Sequence, residues 1–184
     1  RLGKAVATHL DVSAVAVARD IRESGPDSHS AFIEGVISTG ADVLDLGVTT
    51  TGVLYRATVD LPVQAAVAIT ASHNPAEWNG FKFKPHYGGS ATPDLISLLE
   101  SEISSLEVDR KVKNIPLEEA CREGIVSLFD AGPIYRQNIK ELVDLDSIRN
   151  AGLNVVVDSM FGSGAGYFAA LLEGGDTNVI ELRG

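Results

Sequence analysis

A chain of 184 residues, 45% apolar and 22% charged, carries enough Val, Ile, Leu and Ala to bury a core, which excludes intrinsic disorder; its apolar runs fall far short of the roughly 18 residues of a membrane span. With 15 basic and 25 acidic residues the formal charge is −10, which argues against nucleic-acid partners and against adhesion to an anionic membrane, but leaves room for a small anionic ligand in a local positive pocket. The single cysteine, Cys121, excludes an intramolecular disulfide framework and a cysteine-based zinc cluster and points to a cytoplasmic setting.

Leu2, Val6 and Leu10 have helical spacing, so the chain begins within a helix or at its start. No initiator methionine or signal-peptide pattern precedes them, and residues 178–184 read as a bare terminal strand, so the chain is expected to be a piece of a longer polypeptide. Residues 11–20 (DVSAVAVARD) read as a buried strand, 24–27 as a turn, and the stripe of Phe32, Ile33, Val36 and Ile37 as a helix capped by Gly40. A second strand is expected over 42–47, three threonines at 49–51 lead to a helix near 53–59, and a third strand covers 65–70. Strands alternating with helices through short connections predict a layered α/β domain with a mainly parallel mixed sheet.

Residues 71–80 form a loop, and Phe81, Lys82, Phe83 and Lys84 alternate as in a half-exposed strand. After a turn-rich stretch, Thr92 or Asp94 caps a helix with the stripe Leu95, Leu98, Leu99, Ile103 and Leu106. Residues 107–123 are highly charged and read as a solvent-facing connection, and 134–143 as a further helix. A second, similar α/β unit begins near Asn150, with a buried strand at 153–158, the glycine run 162–166 (GSGAG), an apolar helix through Leu172 and a last strand; the domain boundary is placed at 146–151.

Three segments invite a chemical reading. The glycine run lies between a strand and a helix, but its G-x-G-x-G spacing departs from the dinucleotide fingerprint G-x-G-x-x-G, and a tight turn explains it better. A serine hydrolase lacks its G-x-S-x-G elbow here, and His73 beside Ser72 does not by adjacency make a base. Residues 70–75 (TASHNP) are different: they follow a buried strand, where α/β proteins place ligand loops, and combine a hydroxyl, an imidazole and an amide at Ser72, His73 and Asn74. Asn79 and Gly80 turn the chain so that Lys82 comes back towards this loop, and the window 61–93 holds one acid, Glu77. A serine among donors with a lysine nearby suits phosphoryl transfer. On composition alone the segment is equally an ordinary Asn-Pro surface turn.

The combination of 70–75 (TASHNP), 78–82 (WNGFK) and Gly88-Gly89 resembles the α-D-phosphohexomutase family of phosphoglucomutases, phosphomannomutases and phosphoglucosamine mutases. Residues 17–24 (VARDIRES) look like its early R-D-x-R-x-S segment, and 155–158 (VVVD) like the start of its second domain, so the resemblance covers essentially the whole chain. It implies residues 1–148 as domain I without its extreme N-terminus and 149–184 as the start of domain II, ending before the metal loop. It implies Ser72 as a phosphoserine, Lys82 as a general acid or base, His73 and Asn74 lining the loop, and Arg19, Arg22 and Lys84 in the substrate phosphate pocket. The implied substrate is a hexose 1- or 6-phosphate, with a glucose 1,6-bisphosphate-type activator. The implied cofactor is Mg2+, met through the phosphate on Ser72 and by three aspartates of a D-G-D-x-D-R loop. No such loop occurs here; residues 144–146 (DLD) lack the third aspartate. The family's G-T-x-G-I-R-G segment and its later domains are also missing, residues 47–52 lack a common proline, and Trp78 stands where tyrosine is common. The fragment alone is therefore expected to be inactive. A phosphosugar-binding relic stays open as the non-catalytic alternative, and sugar preference and oligomeric state are not legible.

Overall fold

The computed structural model describes residues 1–106 and 115–184. They form two compact units, Arg1–Asp130 and Ala131–Gly184. The first is built on a five-stranded sheet in the order β4-β3-β1-β2-β5, with β1 Ala14–Arg19, β2 Asp42–Val48, β3 Ala65–Ile69, β4 Phe81–Pro85 and β5 Val126–Leu128. Every pairing is parallel except that of β4 with β3. This is the mainly parallel mixed sheet that the alternating pattern predicts.

The strand sequences sort their side chains by face, because successive residues point to opposite sides of a pleated sheet. Val15, Val17, Val67 and Ile69 join the main core with Phe32, Ile33, Val36 and Ile37 of α2 (Gly25–Ile37). Leu99 of α4 (Pro93–Leu106) and Ala120 of α5 (Leu117–Arg122) complete that layer. The other face of β1 and β3 presents Ala16, Ala18, Ala66 and Ala68, all buried beneath Val53, Leu54 and Ala57 of α3 (Thr51–Asp60). Large side chains thus fill the space under α2, and alanines let α3 lie close to the sheet.

Helix α1 (Leu2–His9) crosses α2 where two glycines meet. A Cβ on Gly35 would lie 3.2 Å from Gly3 Cα, and one on Gly3 would press on the Phe32 carbonyl and sit 2.9 Å from Val36 N. Neither helix can relieve such a backbone contact by moving a side chain alone.

Several elements differ from their sequence expectation. Strand β1 starts at Ala14, because Asp11 has φ +48° and Gln64 Oε1 accepts the N–H groups of Ser13 (3.1 Å) and Ala14 (2.9 Å). Residues 24–27 are not a free turn but the first turn of α2, where Pro26 needs no N–H partner. Of the charged stretch 107–123, residues 107–114 lie outside the described residues, whereas Leu117–Arg122 forms α5 with Ala120 buried. The three-residue β5 is too short to show a period. In α4, Leu98 faces solvent while Leu99 is buried.

The second unit holds α6 (Gly132–Leu142), α7 (Leu145–Arg149), β6 (Asn154–Asp158), α8 (Tyr167–Leu172) and β7 (Asn178–Leu182). Strands β6 and β7 pair in parallel. Strand β6 is not the buried strand its apolar run suggests: Val155 and Val157 are half-buried and Val156 is 63% exposed. Burial of a parallel strand requires cover on both faces, and the described residues do not cover the Val156 face.

The glycine crossing yields a stability prediction. Gly3→Ala should lower the unfolding free energy by about 1–3 kcal/mol, read as a reduced urea midpoint at unchanged slope. A midpoint equal to that of the parent protein would show that the helices separate freely at this point.

Candidate active site

The carboxyl ends of β1, β2 and β3 converge on one edge of the sheet. Helix α2, which follows β1, and helix α3, which follows β2, cover opposite faces, so the chain splits between these two strands as it does at ligand crevices of α/β sheets. Two backbone bonds tie the strand ends together: Asp20 N–H donates to Ile69 O (3.1 Å) and Thr49 N–H to Arg19 O (3.1 Å).

The loop 71–80 leaves β3 at this edge. Its amino end is held by Asp20, whose Oδ2 accepts from Thr70 Oγ1 (2.7 Å) and Arg22 Nε (3.1 Å), while Oδ1 accepts from Arg22 N–H (3.1 Å). Thr70 Oγ1 in turn accepts from Ser72 N–H (3.0 Å). Arg22 enters the loop and bonds four backbone carbonyls: Nη2 donates to Ser72 O and Asn74 O (both 2.9 Å), and Nη1 to Pro75 O (2.6 Å) and Trp78 O (3.1 Å). Ser24 Oγ accepts from Asn79 Nδ2 (3.0 Å), and Thr70 N–H closes the loop base on Gly80 O (2.9 Å). Residues 20, 22 and 24 of the R-D-x-R-x-S segment therefore all dock the loop.

Ser72 sits at φ +55°, a conformation that costs a non-glycine residue roughly 1–3 kcal/mol. The bonds to its N–H and C=O hold it there. Ser72, His73 and Asn74 are exposed. A nucleophile or phosphate carrier needs this combination of a held backbone and a free hydroxyl.

The remaining expected residues divide. Lys82 is exposed on β4 opposite Ala68, one pair from the Ile69–Phe81 end of the hairpin and hence beside the loop. Lys84 lies on the same strand face two residues away but is buried, with Nζ 4.1 Å from the Tyr55 ring centroid and 3.4 Å from Ser90 Oγ. Arg19 is half-buried and donates from Nη1 to Asp20 O (3.1 Å). Sequence reasoning does not single out Thr70, Ser24 and Asn79 as site residues; the available signal is that each lies within or beside a motif segment.

The described residues do not by themselves fit a magnesium cage, which takes several clustered oxygen ligands. Among them no group of three or more His, Cys, Asp or Glu is placed to hold a metal ion, and the carboxylate that frames the loop, Asp20, is taken by Arg22 and Thr70. Among the described residues, too, no helix is long and apolar enough to cross a membrane.

The glycine run of the second unit is a turn, closed by Ala165 N–H donating to Gly162 O (3.1 Å). Glu181 accepts Gly166 N–H through both carboxylate oxygens (2.8 and 3.0 Å) and Ser159 Oγ (2.6 Å). Its own side chain thus takes the place at the start of α8 that a nucleotide phosphate would need. These hydrogen bonds, with Ser159 contributing most, hold the Glu181 carboxyl below the ordinary glutamate value. Asp158 is likewise lowered, by Arg183 first and then by the Met160 N–H.

The sequence model for phosphoglucomutase/phosphomannomutase, alpha/beta/alpha domain I, matches residues 1–109. The chain belongs to the phosphoglucomutase/phosphomannomutase family. It is 36% identical over 166 residues to a probable phosphoglucosamine mutase of Thermococcus gammatolerans, covering 90% of this chain and 34% of that one. It is 38% identical over 163 residues to a phosphoglucosamine mutase of Bacillus cereus, covering 88% and 34%. A crystal structure of a putative phosphomannomutase from Thermus thermophilus superposes with a TM-score of 0.83 at 26% identity, over 99% of this chain and 40% of that one. The chain thus spans about a third of the length of the curated relatives it matches.

The lowered carboxyls of Glu181 and Asp158 set a pH dependence. A depressed folded-state pKa contributes stability that is present above the ordinary carboxylate value and is lost as pH falls through the folded value. The urea midpoint should therefore fall as pH drops below the ordinary carboxylate range, and Glu181→Gln should flatten that fall. Superimposable pH profiles for the two proteins would remove Glu181 from the account.

Proposed function

We propose that the polypeptide carrying this chain is a phosphohexomutase in which Ser72 carries and exchanges a phosphoryl group. The observation that carries this reading is the exposed Ser72, held at φ +55° on the carboxyl edge of β3 by Asp20, Thr70 and Arg22. Membership in the family supports it. In the forward step a hydroxyl oxygen of a hexose monophosphate attacks the phosphorus on Ser72. The phosphorus–Oγ bond breaks, the sugar becomes a bisphosphate, and the hydroxyl proton ends on Ser72 Oγ. The bisphosphate turns round and returns its other phosphoryl group, so that hexose 1- and 6-phosphates interconvert.

Lys82 is the proposed acid or base for that proton, since it is exposed beside the loop. His73 and Asn74 line the same exposed surface, and half-buried Arg19 adds positive charge at the edge of an otherwise acidic chain, with Lys84 buried against Tyr55 on the same strand as Lys82. A magnesium requirement, activation by a hexose 1,6-bisphosphate and a cytoplasmic location belong to the same proposal. The exposed free Cys121 suits a reducing compartment.

The test uses the complete polypeptide with glucose, mannose and glucosamine 1-phosphates. Ser72→Ala should abolish both transfer and phosphate recovered on this loop by peptide mapping; full activity in Ser72→Ala would sink the assignment. Lys82→Ala should slow turnover by about two to four orders of magnitude, and an unchanged rate would remove its proton-transfer role.

A further inference from the structure

The hydrogen bonds to Arg22 give the loop an inside and an outside. The four carbonyl oxygens of Ser72, Asn74, Pro75 and Trp78 all point at one guanidinium. In a trans peptide the C=O and the following N–H point in opposite directions, and the described residues hold no cis peptide. The N–H groups of His73, Ala76 and Asn79 share peptide units with three of those carbonyls, so they face away from Arg22. The fourth unit ends in Pro75 and has no N–H. None of these three N–H groups donates to another group among the described residues. Arg22 itself is 11% exposed in its side chain and ion-paired to Asp20, so its charge is largely offset where it stands.

We infer that Arg22 is a positioning residue that turns the Ser72 loop inside out, drawing its carbonyl oxygens inward and leaving backbone N–H donors to face a dianion on Ser72 Oγ. The inference rests on the reading of Ser72 as the phosphate carrier. Outward N–H groups stabilise an anion beside them, whereas outward carbonyls would repel the phosphate. Only a planar fork can serve four acceptors and Asp20 together; a lysine ammonium has three donors and no Nε. The function of Arg22 is therefore carried by its shape and not by its charge.

The experiment treats the complete polypeptide, its Arg22→Lys variant and its Arg22→Ala variant with labelled glucose 1,6-bisphosphate and follows label on Ser72. Trp78, the one tryptophan of these 184 residues, reports the loop through its fluorescence anisotropy once every tryptophan elsewhere in the complete polypeptide is replaced by phenylalanine. Arg22→Lys should slow labelling by about 100-fold with half-saturation changed only a few-fold, and should lower the Trp78 anisotropy. Millimolar methylguanidinium should restore part of the labelling rate in Arg22→Ala and none in Arg22→Lys. Labelling of Arg22→Lys at the parent rate would overturn the inference. If Arg22→Lys does not fold, the rescue decides: a rate restored in Arg22→Ala supports the inference, and no restoration overturns it. Failure of the parent protein to take label overturns the reading of Ser72 itself, and is distinguishable because it needs no variant.

Discussion

Strand β1 is buried on both faces between β3 and β2, and the fold of the first unit depends on how its two faces differ. Val15 and Val17 fill the layer under α2, while Ala16 and Ala18 leave room for α3. Because the pairings with β2 and β3 are both parallel, three carboxyl ends arrive at one edge. Their backbone groups are tied across that edge through Arg19, Asp20, Thr49 and Ile69. The loop after β3 is thus attached to a rigid platform, which is what a strained residue such as Ser72 requires.

Asp20 and Arg22 connect that platform to the chemistry. Asp20 leaves the end of β1, fixes Thr70 and orients Arg22, and Arg22 gathers the loop carbonyls. A loop without such a hub would need its polar groups satisfied by water, and its conformation would be one of many. Lys82 and Lys84 show the same dependence on placement. Two lysines on one strand face differ because α3 covers one of them with Tyr55 and leaves the other at the open edge.

Much of the fold was legible because the core strands and helices have clear periods. Residues 65–69 and the stripe Phe32, Ile33, Val36 and Ile37 could hardly have been read otherwise. The elements that escaped were short or context-dependent. β5 has three residues and α5 six, and their places at the sheet edge and in the core come from tertiary contacts. Val156 looked buried because an apolar run cannot say how many of its faces are covered. At the site, the positions of Ser72 and Lys82 followed from motif and turn, but the partners of Arg22 lie about fifty residues away in sequence, beyond any local pattern.

By itself the sequence determined the α/β class, the family resemblance and the loop on which to look, because residue order, periodicity and a specific motif are local properties. Only the tertiary structure decided that R-D-x-R-x-S holds the loop, that the carbonyls turn inward, that Lys84 is buried and that Glu181 fills the start of α8. Each of these depends on groups brought together by packing from distant parts of the chain, and a hydrogen bond exists only where donor and acceptor meet at the right distance and angle.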